Sequence, residues 1–341
     1  MQNPPPGSRA AYPSAPLPEP KNLTSATVRS TFPSRLTDDR SRLTYVLITP
    51  ARNEQAFIEQ TITSVIHQTI KPLKWVIVSD GSTDDTDSIV KAYAATHNWI
   101  ELLRMPDRTG RDFAAKARAF HAGLARLRDL QYDIVGNLDA DISFDADYFA
   151  FLLDKFEQMP EIGVAGTPFV EAGFRYNYNF ASIDHVSGAC QLFRRTCFED
   201  VGGYKPIREG GIDWVAVTTA RMKGWKTRTF TEKTCFHHRK IGRSKASMVR
   251  ARFNVGRQDY YLGSHPLWEL FRTGYQMTLA PYVVSGLLIL AGYLWATFTR
   301  RKRPIARELI EFRRKEQMHR LKKLLLTSST LPGRHRRERT L

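Results

Sequence analysis

A chain of 341 residues, 42% of them hydrophobic and 25% charged, can bury a substantial core, which excludes a collagen, a wholly disordered chain and a polytopic membrane protein. Its formal charge of +17 suggests nucleic acid, but the charge is uneven: residues 239–341 hold 23 Lys and Arg against 6 Asp and Glu, and the first 238 residues are neutral. Three cysteines, Cys190, Cys197 and Cys235, make no disulfide framework and point to a reducing compartment. Residues 1–42 are rich in Pro, Ser, Ala and Arg and read as a disordered leader, without an apolar run of signal-peptide length. From Leu43 the pattern becomes regular. Leu43–Thr49 reads as a buried strand stopped by Pro50, followed by helical spacing over Phe57, Ile58, Thr61, Ile62, Val65 and Ile66. Trp75–Val78 is a second strand ending in the turn Ser79-Asp80-Gly81-Ser82, after which Asp84 or Asp85 caps a helix to about His97. Ile100–Met105 gives a third strand, Phe113–Leu130 a helix and Ile134–Leu138 a fourth strand, ended by Asp139-Ala140-Asp141. This alternation predicts an α/β fold, a mostly parallel central sheet with helices on both faces. The ligand crevice of such a sheet lies beyond the carboxyl ends of its strands, where Asp80, Asp139 and Asp141 fall.

No GxxxxGK(S/T) or GxGxxG occurs, so phosphate binding by a glycine loop has no sequence basis. Paired carboxylates are present instead. Asp139 and Asp141, two apart after a buried strand, suit Mg²⁺ or Mn²⁺ and leave coordination positions for a diphosphate; an Asp-rich capping turn is the other reading. Asp145 and Asp147 read as caps of the next helix. Asp213 heads a helical segment over Trp214–Lys223 and is either a general base or an N-cap.

Taken in order, several segments resemble the family 2 glycosyltransferases of GT-A fold. They are Thr49–Glu54, Asp80–Thr86, Asp139-Ala140-Asp141, Ser187–Cys190, Phe193–Arg195, Val201–Tyr204, Gly211–Trp214 and Lys223–Lys226. The resemblance covers roughly residues 43–238 and implies a nucleotide-sugar donor. It would place Pro50, Arg52 and Glu54 around the base, Asp80 on base or ribose, and Arg108 and Arg111 near the nucleotide. Gly188 would also border the donor. Asp141 would ligate Mg²⁺ or Mn²⁺ on the diphosphate, with Asp139 near ribose or metal and His237 or His238 completing the site. Asp213 matches the acidic residue used as base; Ile212 stands where the family pair has Glu, with Glu209 a weaker substitute upstream. A base opposite the leaving group implies inversion. No QxxRW-type motif follows Asp213, as processive members carry, so transfer of a single sugar is expected.

Arg272 and Arg300 bracket 27 uncharged residues, Thr273–Thr299, expected as a membrane-embedded or re-entrant segment. Residues 239–272 would be a basic connection, and 300–341 a basic amphipathic tail lying on an anionic membrane surface. These features imply a cytoplasmic-face enzyme acting on a lipid-linked or polysaccharide acceptor. The alternatives are an inactive GT-A scaffold, suggested by Ile212, and a nucleic-acid binder using the tail; the neutral first 238 residues argue against the latter, and no nucleic-acid partner is expected.

Overall fold

A computed structural model describes residues 42–107, 113–171, 182–239, 245–279 and 282–328. The alternating part runs β1 (Tyr45–Ala51), α1 (Ile58–Ile66), β2 (Lys74–Ser79), α2 (Thr86–Thr96), β3 (Ile100–Arg104), α3 (Ala114–Ala125) and β4 (Ile134–Leu138). Next come β5 (Ile142–Ser143), α4 (Tyr148–Gln158), β6 (Ile162–Gly166), β7 (Phe169–Val170) and β8 (Cys190–Arg194). They are followed by α5 (Arg195–Val201), α6 (Ile212–Met222), β9 (Lys226–Thr229) and β10 (Cys235–His237). Four helices complete the order: α7 (Lys245–Tyr261), α8 (Pro266–Met277), α9 (Val284–Phe298) and α10 (Arg307–Ser328).

The main sheet has seven strands in the order β3-β2-β1-β4-β8-β6-β9. It is parallel except where β8 runs against β4 and β6. Its central strands are apolar on both faces because both are covered. Tyr45, Leu47, Trp75 and Ile77 pack under α1, α2 and α4, while Val46, Ile48, Val76 and Val78 pack under α3, α5 and α6. A fully buried Phe or Leu here contributes about 1.5–3 kcal/mol relative to exposure. The first strand continues through Pro50, where the sequence predicts its end. Pairing with β4 stops at Ile48, so the missing Pro50 N–H lies where that side of the ladder is already open.

A second sheet, β5-β10-β7, lies at the carboxyl end of the first. β10 pairs antiparallel to β5, with His237 opposite Ile142, and so carries residues 235–237 next to the turn after β4.

Residues 245–279 and 282–328 differ in part from expectation. Residues 245–261 of the expected connection form a regular helix, and the uncharged run is divided between α8 and α9. The fifteen residues of α9 reach about 22 Å at 1.5 Å per residue, short of a roughly 30 Å hydrocarbon layer. Among the described residues no helix is long and apolar enough to cross a membrane. Gly256 of α7 and Gly292 of α9 instead let the two backbones touch: a Cβ at either would overlap the carbonyl of Ile289 or Phe253. The expected tail helix is part of the globule as well. Leu309, Arg313 and Leu321 of α10 are buried, and Glu316 forms a forked ion pair with Arg221 of α6 at 2.7 and 3.1 Å.

Candidate active site

Two turns meet where β1 and β2 end side by side. Asn53 adopts a left-handed backbone (φ 56°), a conformation Asn tolerates better than most residues, and its Oδ1 accepts from the Thr83 N–H at 2.8 Å. The Glu54 N–H donates to Thr86 Oγ1 at 2.8 Å. These bonds join the Thr49–Glu54 and Asp80–Thr86 segments into one wall. Asp80 is buried there, with Arg52 Nη1 3.9 Å from its Oδ2 and half-buried Pro50 close by in sequence. Arg108, Arg111 and the Phe174–Phe180 stretch lie outside the described residues. The N-cap of α2 is Asp85, which makes no side-chain cap bond, while Asp84 just before it accepts from the Thr86 N–H. Asp147 does not cap α4 with its side chain and pairs with Lys233 at 2.6 Å.

The aspartates after β4 part company. Asp139 forms an ion pair with Lys116 of α3, whereas Asp141 faces β10 and the residues after it. Asp141 Oδ2 lies 3.4 Å from His237 Nε2 and accepts from Arg239 Nε at 3.0 Å. Arg239 also reaches the Glu54 carboxylate, tying the two halves of the site. His238 is excluded from this group: its Nε2 bonds Ser143 Oγ at 2.7 Å. Of the two histidines named as candidates, His237 is the one whose ring lies beside Asp141.

Crowding of acids shapes the electrostatics. Burial pushes Glu54 up to about 7, against the pull of Arg239 and with a contribution from Asp141. Burial likewise raises Asp139, Lys116 opposes it, and the charges of Asp141 and Asp213 add to the rise. Burial depresses Lys116, but Asp139 more than restores it, so the ammonium stays charged.

Asp213 sits in the first turn of α6, whose N-cap is Gly211 (φ 79°), so it is not the cap. Its Oδ2 accepts from the Gly188 N–H at 3.2 Å. A Cβ on Gly188 would stand 2.8 Å from both Asp213 Cβ and Oδ2, so only glycine lets the carboxylate lie there. Gly188 is pinned in turn by Asn137, whose Nδ2 donates to its carbonyl at 2.7 Å. The residue predicted to border the donor thus seats the candidate base. Ile212 is buried in the core on the α6 side of the sheet.

Asp139, His237 and Asp213 line one open cleft of about 1340 Å³, along with Glu171; Glu209 is not among the lining residues. Its far side is built by Trp268 of α8 and by Arg313 and Arg320 of α10. The Arg313 guanidinium stacks 4.2 Å from the Trp214 ring, beside Asp213, and donates to the Leu262 carbonyl at 2.6 Å. Sequence reasoning missed Lys116, Glu171, Arg239 and this α10 wall. Only Lys116 carried a signal, a lone charge on the small-residue face of α3.

Residues 46–208 match the model of Glycosyl transferase family 2. Over that stretch, just under half of the chain, the sequence is similar to the family 2 glycosyltransferases. The chain is 25% identical over 174 residues to poly-beta-1,6-N-acetyl-D-glucosamine synthase of Staphylococcus epidermidis, covering 44% of this chain and 39% of that protein. The Staphylococcus aureus synthase matches over 185 residues at the same identity, covering 48% and 42%. The chain therefore spans about two fifths of the length of these relatives. In fold it is similar to the mannosyltransferase PcManGT of Pyrobaculum calidifontis, solved with GDP-Man and Mn²⁺ (TM-score 0.55, 20% identity, 77% of this chain and 89% of that one). It is also similar to GalNAc-T7, solved with UDP, GalNAc and Mn²⁺ (TM-score 0.55, 14% identity, 86% and 59%). The chain thus has a GT-A-like α/β fold with a mostly parallel central sheet.

The donor set at Asp141 bears on a metal. Among the described residues no group of three or more His, Cys, Asp and Glu is assembled to hold an ion unaided. Asp141 and His237 form a two-donor half-site, and His237 Nδ1 is buried without a hydrogen bond although Glu171 Oε1 lies 3.1 Å away. A hard-oxygen and imidazole pair fits Mg²⁺ or Mn²⁺ when substrate phosphates and water complete the shell.

Proposed function

We propose that this protein transfers a single sugar, with inversion, from a nucleotide-sugar donor to an acceptor hydroxyl. The observation that carries the reading is the placement of Asp213 in the same cleft as Asp139 and His237. Asp213 takes the acceptor proton as the new bond forms, the acceptor oxygen joins the sugar C1, and the bond from C1 to the diphosphate breaks. The nucleoside diphosphate leaves with the electron pair. Gly188 holds the Asp213 carboxylate in orientation, and Lys116 opposes the rise that burial, Asp141 and Asp213 impose on Asp139. Asp141 and His237, with Asp139 near them, would hold Mg²⁺ or Mn²⁺, which when bound neutralises the leaving diphosphate. Arg52 and Asp80, 3.9 Å apart, would border the nucleotide, and Glu54 would take part through its ion pair with Arg239.

Single transfer accords with the absence of a QxxRW-type motif after Asp213. The acceptor we favour is lipid-linked, at the cytoplasmic face of the inner membrane, in surface polysaccharide or glycolipid assembly. A panel of UDP-, GDP- and dTDP-sugars, each with Mn²⁺ or Mg²⁺, tests the reading by release of nucleoside diphosphate. One donor should give turnover that EDTA abolishes and Asp213→Asn suppresses. If no donor binds or turns over with either metal, the reading is wrong.

A further inference from the structure

We infer that α8 and α9 seat the protein in plane on an anionic bilayer, in place of the membrane segment the sequence suggests. The α9 helix has two unlike faces. Ser285, Gly286, Ile289, Gly292 and Tyr293 are buried towards the protein, while Leu287, Leu294, Trp295 and Phe298 stand exposed on the other side. Phe298 is 79% exposed, and Tyr282, ahead of the helix, is 70% exposed. Leu267 and Leu270 of the neighbouring α8 are exposed as well. Exposed apolar side chains on two packed helices of a folded chain mark a contact site.

Charge selects the occupant. From Thr273 to Arg307 there is no Asp or Glu, and Arg300-Arg301-Lys302-Arg303 follow the exposed face directly. The guanidiniums of Arg257 and Arg301 lie 4.9 and 5.1 Å from the Trp295 ring. An aromatic flanked by cations, at the edge of an apolar helix face, matches the boundary between acyl chains and anionic headgroups. A second copy fits less well, because a two-fold interface would set the same arginine run against itself. The helix lies in the surface because fifteen residues do not cross it.

The placement also deepens the lipid-linked acceptor reading, on which its purpose rests. Trp268 and Arg272 of α8 line the cleft, while Leu267 and Leu270 of the same helix face outwards. One helix therefore separates the bilayer from the place where the acceptor would react.

The test reads vesicle binding by the full chain, independently of transfer. Protein is sedimented with phosphatidylcholine vesicles, with and without phosphatidylglycerol. Binding should require phosphatidylglycerol, weaken with added salt, and fall at least roughly tenfold in the double variant Leu287→Glu/Phe298→Glu. Brominated lipid should quench a part of the tryptophan emission that Trp295→Phe removes, which keeps the test valid if the double variant misfolds. Binding indifferent to phosphatidylglycerol, or absence of Trp295 quenching, overturns the proposal. So does a lipid-free dimer, seen by light scattering, that the double variant dissociates, since the face would then belong to a second copy. Loss of sugar transfer with intact vesicle binding would sink the functional reading and leave this one standing.

Discussion

Replacing Asp213 with Asn removes one negative charge and almost no volume. The Gly188 N–H still finds an amide oxygen where it bonded Oδ2 at 3.2 Å, so the turn that seats residue 213 should persist. The stability change should stay near the net worth of one hydrogen bond, about 1 kcal/mol. Asp139 should titrate lower, because the Asp213 charge is among those that raise it, and Lys116 still pairs with it. Donor and metal binding should therefore survive. Turnover should not, since the amide cannot accept the acceptor proton. General-base catalysis is worth about 10²–10⁴-fold, or roughly 3–5 kcal/mol of transition-state stabilisation, and the loss should fall on kcat with KM for the donor little changed. Steady-state release of nucleoside diphosphate, beside donor titration by calorimetry, separates the two effects. A folded Asp213→Asn enzyme within about threefold of wild type refutes the assignment. Glu209→Gln would then be the next variant, although Glu209 does not line the cleft.

Manganese titration followed by electron paramagnetic resonance should show His237→Ala weakening Mn²⁺ binding at least about tenfold and His238→Ala leaving it unchanged, because His238 is turned to Ser143; the reverse order would reassign the ligand. In Gly188→Ala the new methyl group meets the Asp213 carboxylate, so kcat should fall by about 10- to 100-fold, with a stability loss of about 1–3 kcal/mol by thermal denaturation; an unchanged kcat would mean the contact is irrelevant to turnover. Burial holds Glu54 up to about 7 in the folded chain against an ordinary 4.5, so between these values the unfolded chain loses this proton first and stability should fall as pH rises. Without metal or nucleotide, Glu54→Gln should flatten the Tm profile across that window, and a slope identical to wild type would show that Glu54 does not set it.

The sheet was legible because its strands are apolar on both faces and end at turn residues; Ile134–Leu138 agrees to the residue, and Pro50 misled by one hydrogen-bonding side. The strand-end positions of the candidate site residues were legible for the same reason. Asp80, Asp139 and Asp141 follow buried runs, and a doubly covered sheet leaves its chemistry at those ends. What local pattern could not supply is what a second layer of topology brings in. His237 reaches Asp141 because β10 pairs with β5, a ladder whose shortest strand has two residues and no periodicity to read. Arg239 follows from that pairing, and a charge count places it with the basic tail when its guanidinium in fact joins Asp141 to Glu54. The same count misassigned α10. Its arginines look like a solvated face until Arg313 is seen stacked on Trp214, buried, one residue from the candidate base. The uncharged run suggests a crossing segment that no described helix is long enough to make: hydropathy averages the faces of α9, one with Gly292 against α7 and Gly286 against α8, the other with exposed leucines. Counting charge or apolarity along a segment therefore failed wherever a helix has two different neighbours, and in this chain those are the helices that build the far wall of the cleft and its apolar outer surface.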